Sequence, residues 1–197
     1  MKRFILTLLC FLAFCVNTQA QMLVGCVGGG VSAAVSCTTV QTPTETGETT
    51  TTYSNVSSIQ RMVATRFVAA ADSTICAIDL YLSKIGTPSD TMTIVAHIYS
   101  DNGGTPQLPS SSLGNSTTTI YGKDLGEEAA VKFSGLSVPL TTGTSYWIVG
   151  YTNEYHADNR IGIAAESEGA VEEVAKWDGS NWSQLATART LKYVLYK

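Results

Sequence analysis

Charge is scarce in this chain. Of its 197 residues, 12 are Lys or Arg and 16 are Asp or Glu, a charged share of 14% against about 25% in an average soluble domain. That shortage excludes a coiled coil, which needs abundant Glu and Lys beside its apolar seam. Acids outnumber bases and the net charge is −4, so the basic stripe with which a nucleic-acid-binding protein meets phosphates is missing. The repeated apolar runs of about 20 residues that a polytopic membrane protein needs are missing too. Histidine is limited to His97 and His156, and no Cys-x-x-Cys pair occurs, which argues against a zinc site of the usual spacing. Gly-x-Ser-x-Gly is absent, so the hydrolase nucleophile elbow has no support.

Hydroxyls take the place of charge. The chain holds 26 Thr and 19 Ser, together with 17 Gly, and Thr, Val, Ile and Tyr favour extended backbone. Its N-terminus reads as a secretory address over residues 1–20. Lys2 and Arg3 lead an apolar run from Phe4 to Val16, and Thr18 and Ala20 offer a small-residue cleavage site. Removing it takes the net charge from −4 to −6 by deleting two bases. Leu23-Val24-Gly25-Cys26 also matches a lipobox, so lipid attachment through Cys26 is the alternative address.

Residues 21–58 differ from the rest. Gly25 to Ser36 is small and apolar, and Thr38 to Thr52 holds nine Thr in fifteen positions. Such a segment buries too little apolar surface to offset the entropy of ordering it, so a spacer is expected. The alternative is that part of it adds an edge strand. Cys26 and Cys37 flank the Gly-rich stretch and are expected to bridge in an oxidising compartment. Cys76 falls on the face of Ile78, Leu80 and Leu82, which predicts a buried thiol.

From residue 59 to 197 the alternation of a β-strand dominates. Strands are expected at Arg61–Ala69, Ile75–Lys84, Thr91–Ser100, Thr117–Tyr121, Ala130–Ser134, Ser145–Tyr151, Arg160–Ala165, Val174–Trp177, Trp182–Leu185 and Thr190–Tyr196. Turn formers such as Gly86-Thr87-Pro88-Ser89-Asp90 and Asp101-Asn102-Gly103-Gly104-Thr105-Pro106 separate several of them. About ten short antiparallel strands predict an all-β, jelly-roll-like β-sandwich. Tyr146 to Tyr151 is apolar on both faces and predicts a strand covered on both sides.

Several of these stretches carry a resemblance. Leu80 to Lys84, Gly86 to Thr91, Ile98 to Pro106, Leu113-Gly114 and Thr144 to Val149 together resemble the choice-of-anchor R domain, a β-rich module of bacterial surface and secreted proteins. The resemblance covers about residues 60–160 and implies an extracellular, non-catalytic domain. It brings no catalytic residues with it.

The residues themselves point to binding rather than catalysis. Glu127-Glu128 and Glu172-Glu173 are adjacent pairs, and strand neighbours face opposite ways, unlike the facing carboxylates of a glycosidase. His156 and Asp158 share a polar loop that reads as solvated. No cofactor is expected. Calcium is the one ion considered, at Asp101-Asn102 or Asp158-Asn159, although such pairs are first of all turn formers. Tyr155, Trp177 and Trp182 are the candidate ligand-binding residues, because exposed aromatic rings stack on sugar faces. Trp177 and Trp182 flank the turn Asp178-Gly179-Ser180-Asn181 and should pair across it; the alternative is that they plug one end of the core. The expected function is adhesion or matrix interaction at the cell surface, with an extracellular glycan or surface protein as partner. A carbohydrate-binding module is the alternative, and a phage or virion fibre component a third.

Overall fold

The computed structural model describes residues 37–42, 52–53, 62–154, 156, 158–166, 173–185 and 190–197. The expected leader, the Cys26 lipobox and Tyr155 lie outside these described residues. Ser36–Lys197 forms one compact unit.

Two antiparallel sheets pack face to face as a β-sandwich. In the first, the long strand β4 (Ser73–Ile85) is the hub. It pairs with β8 (Ala129–Leu140) along one edge, and with β14 (Tyr193–Tyr196) and then β10 (Arg160–Glu166) along the other. β1 (Thr39–Gln41) extends the sheet beyond β14, while β2 (Thr52–Tyr53) and β13 (Thr190–Leu191) pair with β10. The second sheet runs β12 (Trp182–Gln184), β11 (Val174–Trp177), β3 (Met62–Val68), β9 (Ser145–Thr152), β5 (Thr93–Asp101) and β6 (Pro109–Asn115). Short β7 (Ile120–Tyr121) pairs with β5. One 3-10 turn, Gly122–Asp124, follows β7.

Alternation explains the layering. Val63 and Phe67 of β3, Ile94, Ala96 and Ile98 of β5, and Tyr146 and Ile148 of β9 enter the space between the sheets. There they meet Ile78, Leu80 and Leu82 of β4, Phe133 of β8 and Tyr193 of β14. Each large aliphatic side chain buried this way contributes about 1.5–3 kcal/mol. β9 sits between β3 and β5 and is buried on both faces, as its two-sided apolar pattern predicts. Its other face, Trp147 and Val149, belongs to a second apolar cluster on the outside of the second sheet.

Part of the N-terminal segment follows the edge-strand alternative: Thr39–Gln41 and Thr52–Tyr53 both pair with the sandwich. One expectation there is corrected. The expected Cys26–Cys37 bridge is replaced: Cys37 is joined to Cys76, with Cα atoms 6.4 Å apart, within the usual range. Strand order explains this pairing. Thr39 stands opposite Tyr196, and Tyr196 opposite Ala77, so the chain just before Thr39 arrives beside Cys76.

Cys76 is available because alternation breaks there. Between Ile75↔Val138 and Ala77↔Ser134, β4 advances two residues and β8 four. Gly135 takes up the bulge at φ 82°, where a Cβ would fall 2.0 Å from the Thr117 hydroxyl. Ile75 and Ile78 both reach the core, and Cys76 is left half-buried. The disulfide points to an oxidising environment. Among the described residues no helix is long and apolar enough to cross a membrane.

Candidate functional site

The outer face of the second sheet carries the aromatic residues. Trp177 and Trp182 are direct cross-strand partners in the β11–β12 hairpin, with ring centroids 5.6 Å apart and planes at 64°. Asp178 shapes the turn between them: its carboxylate accepts the backbone N–H groups of Asn181 (2.7 Å) and Ser180 (2.9 Å). These bonds hold its pKa below the ordinary carboxylate value. Gly179, at φ 101°, supplies the left-handed residue that the turn needs.

The two tryptophans start a longer run. Trp182 meets Tyr99 of β5 edge-on at 6.1 Å, Tyr99 meets His97 at 6.0 Å, and His97 meets Tyr151 of β9 at 6.0 Å. Tyr99 lies four strand steps from Trp182 in the sheet order, which is about 19 Å across a flat sheet. The two long side chains reach toward each other along the face, packed over the small residues Ala64 and Ala175. Ala64, Ala175 and Val149 form its low floor and are fully buried under the larger side chains. Met62 adds its sulfur 4.0 Å from the Tyr99 hydroxyl. Asn115, opposite His97, and Gln184, opposite Ala175, put amides on the same face at its margins.

His97 is half-buried, and neither ring nitrogen has a hydrogen-bond partner among the described residues. Burial alone pushes its pKa below the ordinary imidazole value. Tyr99 shifts the other way: burial first, and then Tyr151, raises its phenol.

A polar knot closes one end of the strip. Asp101 accepts the Trp147 indole N–H at 2.8 Å on one oxygen and the Gly103 N–H at 2.7 Å on the other, and Arg66 approaches to 3.5 Å. Arg66 also donates to the Ser145 hydroxyl at 2.7 Å. Asn102 then holds the loop, accepting from Gly104 and Leu108, each at 3.0 Å, so that Leu108 folds onto the outer cluster. The oxygens of Asp101-Asn102, the first calcium candidate, are thus engaged by their own turn and by Trp147. At the second, the Asn159 side-chain oxygen Oδ1 accepts the Thr87 N–H at 2.7 Å. Among the described residues no three His, Cys, Asp or Glu side chains gather as a metal site.

Comparison with known proteins returns no match to a family model, a curated protein or a solved structure. The resemblance to the choice-of-anchor R domain rests on turn motifs and strand pattern alone.

The second histidine belongs to a different cluster. His156 is exposed, 4.0 Å from Glu154, and Glu154 accepts hydroxyl bonds from Thr91 at 2.5 Å and Ser89 at 2.7 Å. Those two bonds, Thr91's first, lower the Glu154 pKa. A catalytic relay places imidazole between hydroxyl and carboxylate; here the hydroxyls donate directly to the carboxylate. The arrangement ties the 86–92 loop to the end of β9.

Sequence reading therefore named two members of the strip, Trp177 and Trp182, and the structure brings them together. Tyr99, Tyr151 and Met62 were not named. Their signal was present as the outward set of each strand, but joining those sets needs the strand order.

Proposed function

We propose that this protein is a non-catalytic extracellular β-sandwich that adheres to glycan through the outer face of its second sheet. One observation carries the reading: Trp177, Trp182, Tyr99, His97 and Tyr151 form an unbroken run of ring contacts on that face. Aromatic rings offer flat apolar surface to the C–H faces of pyranose rings, and the amides of Asn115 and Gln184 can bond hydroxyl edges. The Cys37–Cys76 bridge suits the secreted or surface location that such a partner requires. The expected secretory leader and the choice-of-anchor resemblance agree with it.

A glycan array tests this reading directly. Binding by the unmodified chain that is lost in Trp182→Ala, with the circular-dichroism spectrum retained, supports it. Silence across a broad array contradicts it.

A further inference from the structure

His97 stands between the two tyrosines of the strip without a polar partner. Its ring meets Tyr99 and Tyr151 edge-on, each at 6.0 Å, and both ring nitrogens are buried and unbonded among the described residues. On β5 its outward neighbours are Val95 and Tyr99. On β9 it faces Val149, with Tyr151 next along that strand's outer face. On β6 it faces Asn115, whose amide donates instead to the Ser116 carbonyl at 3.1 Å. The titratable groups packed around it are thus two phenols, and no carboxylate among the described residues is placed to accept from an imidazolium. Asp101 lies farther along β5 and is already bound by Trp147, Gly103 and Arg66.

Neutral imidazole carries one N–H and one acceptor nitrogen, whereas the imidazolium carries two N–H donors and a charge. A buried charge without a partner is far costlier than a buried neutral group. The protonated ring must therefore turn out toward water, and that movement breaks the contacts joining Tyr99 to Tyr151. A glycan lying on the strip adds to the penalty, because it covers the same rings and shuts water out further.

We propose that His97 is a proton switch within the strip: its neutral form keeps the run of rings closed for glycan, and its protonated form releases the glycan. The release rests on the glycan reading for its ligand, while the opening of the ring run is a property of the free chain. Glycan and proton then oppose each other, each weakening the other by the same factor. A single proton limits the loss of affinity to about tenfold per pH unit below the His97 midpoint. The Trp177–Trp182 turn does not share the switch, since Asp178 keeps its charge below the ordinary carboxylate range.

The test is calorimetric titration of the full chain with cellohexaose, mannohexaose and chitohexaose at about pH 7.5 and about pH 5. Beside it, proton NMR follows the imidazole and tyrosine rings of the free chain over the same range. Affinity for a hexasaccharide that binds at the higher pH should fall severalfold at the lower, and the Tyr99 and Tyr151 ring signals should shift with the His97 midpoint. His97→Phe, whatever its affinity at the higher pH, should hold that affinity at the lower. His156→Gln, changed at the exposed histidine beside Glu154, should release as the unmodified chain does. Equal affinity at the two pH values overturns the switch and leaves the glycan reading standing. So does a loss that persists in His97→Phe, or an imidazole that titrates while the tyrosine signals stay in place. Silence from all three sugars at both pH values overturns the glycan reading and the release together.

Discussion

Trp177 and Trp182 face each other across the β11–β12 turn with ring centroids 5.6 Å apart, and Trp182 passes the contact on to Tyr99. Trp182 is thus the joint between the hairpin and the rest of the strip. Its replacement by Ala removes a ring pair that contributes about 0.5–1.5 kcal/mol beyond its buried area. The hairpin should loosen modestly while the sandwich persists. Glycan affinity should fall about tenfold or more, the equivalent of roughly 1.4 kcal/mol. Trp182→Phe, which keeps a ring, should recover part of that loss. Urea unfolding beside a binding titration separates the two effects.

The Cys37–Cys76 bridge closes a loop of sequence separation 39. Chain-entropy arithmetic for a loop of that length gives about 4 kcal/mol of stabilisation. The double variant Cys37→Ser/Cys76→Ala should lower the unfolding free energy by several kcal/mol, chiefly because the unfolded chain regains the entropy of that loop. Peptide mapping of the unreduced protein should find Cys37 linked to Cys76. A Cys26–Cys37 peptide would contradict the strand order given above.

His97 sets an acid limit on the outer face. Its folded pKa lies below the ordinary value of 6.5 because burial disfavours the imidazolium. Below about pH 6.5 the unfolded chain binds a proton that the folded chain refuses, so stability falls as pH drops toward the folded pKa. The exposed carboxylates with lowered pKa, Asp72, Glu154 and Asp178, lose their contributions only at lower pH. His97→Phe should therefore remove the loss that begins below about pH 6.5 and leave the more acidic one. Thermal unfolding across that range reads it out. An unchanged slope in the variant would show that His97 is not the group responsible.

Tyr196 sets the alkaline limit. Its hydroxyl donates to Asp79 at 2.6 Å, and that bond first, then burial, raises its pKa to about 12. Because the folded value exceeds the unfolded value of about 10, the contribution is complete below pH 10 and is lost as pH rises toward 12. Lys132, with its Nζ 3.4 Å from the Tyr196 ring centroid and 3.9 Å from Asp79, closes the same cluster. Tyr196→Phe should flatten the alkaline loss while keeping the ring under Lys132. Spectrophotometric titration of the phenols checks the assignment.

Trp147 tests the polar knot. It is fully buried, and its indole N–H is bound by the Asp101 carboxylate at 2.8 Å. Trp147→Phe keeps most of the apolar volume but leaves that oxygen with Arg66 alone, a loss of about 1–3 kcal/mol. Trp147→Ala adds a cavity and should cost about 3–5 kcal/mol. Denaturant midpoints distinguish the two.

Local pattern carried much of the fold. Apolar patterning between turn formers located β3, β4, β5, β9, β10 and β11 to within two residues at each end, because each turns at least one face to the core. β6, Pro109–Asn115, escaped notice: Pro-Ser-Ser-Ser-Leu-Gly-Asn has no alternation, and the strand forms by pairing with β5 at the sheet edge. β1 was legible only as the edge-strand alternative, since its Thr-rich sequence gains order from β14 and the disulfide. Cys76 illustrates a different limit. Its neighbours predict a core-facing thiol, but a bulge on β8, more than 50 residues away in sequence, changes what the strand can bury there. The Trp177–Trp182 pair was readable because a short turn joins its strands. The link from Trp182 to Tyr99 depends on strand order, which no local pattern encodes.

The central claim is that the aromatic strip holds glycan, and the chain's three tryptophans make it measurable. Trp147 is fully buried behind the strip, whereas Trp177 and Trp182 are part-exposed on it. A fluorescence titration with a glycan found on the array should shift the emission of the unmodified chain. The response should disappear, together with binding measured by calorimetry, in Trp177→Ala/Trp182→Ala. Binding of undiminished affinity by that double variant would contradict the account.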